Sequence, residues 1–177
     1  IKNELGIFNH NLKIDYKDQD FTIEGEGDIF FQDKKDIIKY KINKKEKTLN
    51  IITSLILKEN LFILETLNYK NTIGEKTTIN LDGKYDLNTE IIQASLSIKE
   101  KNNEILINNL NLNANFEFID LDSIKLNYFD QNEYKNSVKI IKKNNEFSLS
   151  GKSLNLDNLI ENLLTKKDTS KQSFLNK

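Results

Sequence analysis

With 177 residues and a net charge of −1, the chain can bury one core but gives no electrostatic case for nucleic acid or an anionic membrane surface. All 26 basic residues are lysine, so no arginine fork is present to grip a phosphate or carboxylate in two places. With no cysteine, disulfides and thiolate metal sites lack their parts, and with a single histidine a nucleophile–histidine pair and the usual zinc sets are poorly supported.

The absence of proline and the six glycines suit long regular elements joined by short polar turns. No apolar run approaches the roughly 20 residues of a membrane-spanning helix. The chain has no methionine, even at its start, and is expected to be a segment of a longer one.

Period-two alternation runs from one end to the other. Leu12, Ile14 and Tyr16 alternate with polar residues before the turn KDQD at 17–20. Phe21 and Ile23 resume the pattern, GEG at 25–27 interrupts it as a bulge or bend, and Ile29 and Phe31 continue it. After the QDKKD turn (32–36) come Ile38, Tyr40 and Ile42, then Leu49, Ile51, Leu55 and Leu57. LFILETLNY (61–69) predicts a strand apolar on both faces. Ile79, Leu81 and Tyr85 follow, then Ile92, Ala94, Leu96 and Ile98. A long strand opens with Ile105 and Ile107, slips parity at Asn108-Asn109 through a β-bulge, and continues through Leu110, Leu112, Ala114, Phe116 and Phe118. Ile124, Leu126 and Tyr128, then Val138 and Ile140, then Phe147 and Leu149 complete about eleven strands. Their short connections predict antiparallel neighbours in a meander.

Gly151 ends the last strand, and Asp157 caps a two-turn helix over 157–165, its carboxylate against the free amides of the first turn. Residues 1–165 read as one β segment, including that helix, and 166–177 as a polar, disordered tail.

One apolar face on each of so many strands is more greasy surface than a soluble protein exposes. A two-layer sandwich, a closed barrel and an open curled gutter each solve this. The sandwich is the usual solution. Long strands without proline corners favour a single curved meander, and Gly25, Gly27 and Gly83 lie where a strand could bend.

Chemistry is sparse. His10 reads as a solvated residue near the start. Asp15, Asp18 and Asp20 surround a turn but lack the spacing of a calcium loop. GEGD (25–28) lacks the Lys-Ser/Thr and helix of a phosphate loop. An enzyme is the least supported class, and no cofactor or metal is expected.

FTIEGEGDIFF (21–31) and FSLSGKSLNLDNLIENLL (147–164) resemble the AsmA-like superfamily of bacterial envelope proteins, in particular its YhdP-type members. A strand ending in Gly, followed by Lys-Ser-Leu-x-Leu-x-x-Leu, is similar to a strand–helix junction of those domains. The resemblance implies a repeating β-groove: all-β, a long antiparallel meander curled into an open groove with one short C-terminal helix. It implies a periplasmic segment of a protein anchored in the inner membrane by a part outside these residues. Its partners would be phospholipid acyl chains and neighbouring segments of the same chain, with no nucleic acid. On this reading the groove lining is Ile38, Tyr40, Leu49, Ile51, Leu55, Ile79, Leu81, Leu96, Leu112, Phe116, Leu126 and Ile140. A structural or adhesive β-sandwich without ligand is the alternative.

Overall fold

A computed structural model describes residues 5–31, 34–144 and 146–157. Alternation becomes strands throughout: β1 (Leu5–Lys17), β2 (Asp20–Phe31), β3 (Lys34–Lys45), β4 (Thr48–Leu57), β5 (Ile63–Leu64), β6 (Tyr69–Lys70), β7 (Thr77–Asp86), β8 (Ile91–Glu100), β9 (Asn103–Leu112), β10 (Phe118–Asp120), β11 (Ser123–Phe129), β12 (Lys135–Lys143) and β13 (Glu146–Ser153). All but β5 and β6 join one eleven-stranded sheet in the order β1-β2-β3-β4-β7-β8-β9-β11-β12-β13, with β10 paired to β9. Every pairing is antiparallel. The sheet is open rather than a barrel, with β1 and β13 as its edges. The predicted all-β meander is therefore the fold.

Two-residue turns close several hairpins without glycine. Asp18, Glu46 and Lys101 take the left-handed backbone there, with φ of 59°, 52° and 48°. These conformations are tolerated because each turn fixes the register of two long strands. The bulge read at Asn108-Asn109 is present: Ala94 faces Leu110 while Leu96 faces Ile107, and Asn109 has a φ of 50°. The extra residue keeps Leu110 and Leu112 on the side occupied by Ile105 and Ile107.

Four local expectations are corrected. LFILETLNY does not form a strand of the sheet; it makes β5, a 3-10 turn at Glu65–Leu67 and β6. The strand at 105–118 stops at Leu112, because Asn113 folds the chain back: its side-chain oxygen accepts the Asn115 and Glu117 amides. The bulge near GEG lies in the partner strand, where Asn9 and His10 together oppose Gly27, while β2 runs unbroken. Finally, β13 continues past Gly151 to Ser153. At Gly151 the backbone passes so close to the Ser137 carbonyl and Val138 that a Cβ would collide. Of the predicted helix over 157–165, Asp157 is described as helical; residues 158–165 and the tail 166–177 lie outside the described residues.

The core sits on one side of one part of the sheet. Tyr69, Ile98, Ile105, Leu126 and Tyr128 are buried together, with Phe62, Leu64, Leu67 and Leu154 packed against them. Segment 58–76, between β4 and β7, is thus a cap lying on the apolar face.

Candidate functional site: an open apolar face with a stapled cap

Register places the side chains. Directly opposed residues share a face of a sheet. Thr53, Leu81, Leu96, Ile107, Ile124, Ile140 and Leu149 are opposed in succession from β4 to β13. The neighbouring row runs through Ile38, Leu55, Ile79, Ile98, Ile105, Leu126 and Val138. A further row holds Leu49, Tyr85, Ile92 and Leu112. By these registers Ile38, Tyr40, Leu49, Ile51, Leu55, Ile79, Leu81, Leu96, Leu112, Leu126 and Ile140 lie on a single face. Phe116 does not; it stands in the turn after β9 with 74% of its surface exposed.

No strand from β1 to β4 packs into the buried cluster. Ile29 on β2 and Leu57 on β4 are buried along one rim, but Leu12, Ile14 and Tyr16 on β1 and Leu81 near the middle of the sheet are 40% exposed or more, so much of the face lacks a second layer. Ten strands span nine inter-strand steps of about 4.8 Å, or roughly 43 Å of continuous apolar band. The opposite face is largely polar and cross-linked by charge, with Lys39–Glu26 at 2.7 Å, Lys41–Glu24 at 2.5 Å and Lys125–Glu104 at 2.6 Å. An open hollow of about 600 Å³ lies over β1–β4, with Lys13, Glu24, Glu26, Lys39 and Lys41 in its lining. The greasy rather than the charged side is the unusual feature of the molecule.

The cap is held by two buried carboxylates. Asp36, the third residue of β3, accepts the amides of Lys58 (2.7 Å), Glu59 (3.1 Å) and Asn60 (3.0 Å), and the Asn60 side chain at 2.8 Å. Glu100 ends β8 and accepts the Tyr69 hydroxyl at 3.0 Å and the Thr72 amide at 2.6 Å. Tyr128 donates its hydroxyl to the Leu67 carbonyl at 2.7 Å, and its ring meets Tyr69 edge-on at 5.8 Å. Burial, reinforced by Glu100, pushes the Tyr69 phenol well above its ordinary range; burial with Asp130 nearby pushes Tyr128 up to about 12. Sequence reading missed these residues, assigning Asp36 to a turn. The signal was present: Asp36, Thr77, Glu100, Asn103 and Asn136 are polar yet in phase with the apolar residues of their strands, all along one rim of the sheet. Polar groups in apolar phase need a partner arriving from elsewhere in the chain.

His10 is also placed differently from the expectation. It is half-buried on the apolar face rather than solvated, its ring over Gly27 and 5.8 Å from that of Tyr40. Tyr40 in turn lies over Gly25. These two glycines leave room for rings lying flat on the sheet, which a Cβ would displace; bending is not what requires them there. Among the described residues no cluster of His, Asp or Glu is arranged to hold a metal.

Fold and site together define an open antiparallel β-meander with one long apolar face, partly roofed by a capping segment. No family model, curated protein or solved structure matches the chain.

Proposed function

We propose that this face shields phospholipid acyl chains, and that the chain is a non-enzymatic segment of a periplasmic lipid-transport protein working between inner and outer membrane. Neighbouring segments would extend the groove, and an anchor outside these residues would hold it at the inner membrane. The observation that carries the reading is the part of the apolar band that the cap leaves open, where Leu12, Ile14, Tyr16, Leu81 and Leu149 are 40% exposed or more and which in water calls for an apolar occupant. Acyl chains suit it because the band is long and featureless, without the convergent polar groups of a pocket for one small molecule. The resemblance at 21–31 and 147–164 supplies the envelope setting.

Native mass spectrometry of the chain, purified gently from a bacterial periplasm, tests this. Bound phospholipid that leaves on denaturation is the expected result. Leu81→Asp, which puts a charge mid-band, abolishes loading, whereas Lys84→Gln on the other face leaves it intact. A lipid-free, monodisperse and cooperatively folding protein overturns the proposal in favour of a structural module, as does a folded Leu81→Asp variant that loads normally.

A further inference from the structure

The exposed edge of β1 has a symmetry that the lipid reading does not use. Its pairing with β2 is interrupted by the bulge at Asn9-His10 and closed by the turn at Asp18-Gln19, leaving a regular stretch of residues 11–17. The midpoint of that stretch is Ile14. Lys17 and Asp20 close the two-residue turn, so they form a hydrogen-bonded pair, and alternation from there turns the amides and carbonyls of Tyr16, Ile14 and Leu12 away from β2. Leu12, Ile14 and Tyr16 are also 54%, 59% and 71% exposed on the apolar face. On the other face Lys13 and Asp15 are 70% and 63% exposed and pair with each other along the strand at 3.0 Å.

We infer that β1 pairs antiparallel with β1 of a second copy, about a two-fold axis at Ile14. In that register Ile14 faces its own counterpart, Leu12 faces Tyr16, Asn11 faces Lys17, and Lys13 faces Asp15 twice. The main-chain groups of residues 12, 14 and 16, which have no strand partner among the described residues, satisfy one another across the axis. Both apolar faces lie on the same side, so the exposed side chains of β1 cover each other and the two bands become continuous. The pairing is isologous and stops at two copies. The arrangement of charge selects it: a shift by two residues would bring like charges opposite one another, which destabilises a sheet.

Sedimentation of the 177-residue chain as purified, with its 20.6 kDa monomer mass, reads the outcome. A dimer is expected. Lys13→Glu and Asp15→Lys each place like charges opposite one another twice and raise the dimer dissociation constant about tenfold. The double variant restores the wild-type value. Both positions are exposed, and circular dichroism verifies that each variant is folded. Ile14→Cys, in a chain with no cysteine of its own, oxidises to a covalent dimer, because facing Cα atoms about 5.5 Å apart lie within disulfide range. A monomer at about 100 μM, for which the two-fold pairing is too weak to matter, overturns the inference. So does a dimer indifferent to both charge reversals, or an open-ended series of larger oligomers. No lipid takes part, so failure here leaves the groove proposal standing, and failure of the groove leaves this one.

Discussion

Ile98, Ile105 and Leu126 on β8, β9 and β11 are almost free of water, whereas Leu12, Ile14 and Tyr16 on β1 are each more than half exposed. The two sets consist of similar residues on the same side of one sheet. They differ in what lies over them. Segment 58–76 roofs the first set, and nothing among the described residues roofs the second. Alternation therefore decides which way a side chain points, while burial depends on a piece of chain that does not itself alternate. Hydrophobic stabilisation follows burial, so this sheet should be firmly held around its cap and loosely held at its first edge.

Truncation at matched positions gives the largest expected contrast. Tyr69→Ala empties the centre of the cap, removes the edge-on contact with Tyr128 and takes the hydroxyl donor from Glu100. A loss of about 3–5 kcal/mol is expected in urea denaturation. Ile14→Ala, on the exposed edge, should cost about 0.5 kcal/mol. Equal losses would show that the edge is packed against something as substantial as the cap.

The staple at Asp36 should come next. Asp36→Asn keeps the shape but replaces one acceptor oxygen with an NH₂ group facing donors from 58–60. A loss of about 2 kcal/mol is expected. Faster amide exchange within 58–76 than in β2 would locate the damage. If exchange quickened evenly across the sheet, cap and sheet would be one cooperative unit.

Alkali should loosen the same region. The phenols of Tyr69 and Tyr128 are held neutral in the folded protein, above their unfolded value of about 10. Their contribution is therefore complete below about pH 10 and is lost as the pH climbs through the folded values. Part of the tyrosinate absorbance change should coincide with loss of circular dichroism. Tyr128→Phe, which cannot ionise, should move the alkaline midpoint upward, provided its lost bond to the Leu67 carbonyl is accounted for by the neutral-pH stability of the same variant.

The contrast between regions also explains what was legible beforehand. Strand facing was readable because a period of two is a local property; even the slip at Asn108-Asn109 showed as two successive polar residues. The cap was not readable, because LFILETLNY is strongly apolar and a run of that length fits a buried strand as well as a folded-over segment. Its partners Asp36 and Glu100 resembled turn charges, since their roles come from residues 22 to 31 positions away. His10 was misread for the same reason: its ring is kept on the sheet by Gly27 and Tyr40, from two other strands. Phe116 kept the parity of its strand but fell beyond the strand's end, where parity no longer fixes a side.

The smallest effect belongs to the charged face, and it sharpens the contrast from the other direction. Lys41 holds the Glu24 carboxyl below its ordinary range, yet the two side chains are 50% and 44% exposed, and water screens the pair. Because the folded value is depressed, any contribution is present at neutral pH and fades as the pH falls through it. Glu24→Gln should thus leave the urea midpoint at pH 7 unchanged within error. A measurable drop would mean that the first four strands, which are buried only along one rim of their apolar side at Ile29, Asp36 and Leu57, draw their stability from the lysine–glutamate pairs on the other. The weakly covered half of the sheet would then be a salt-sensitive structure, and raising the ionic strength should unfold it before the cap gives way.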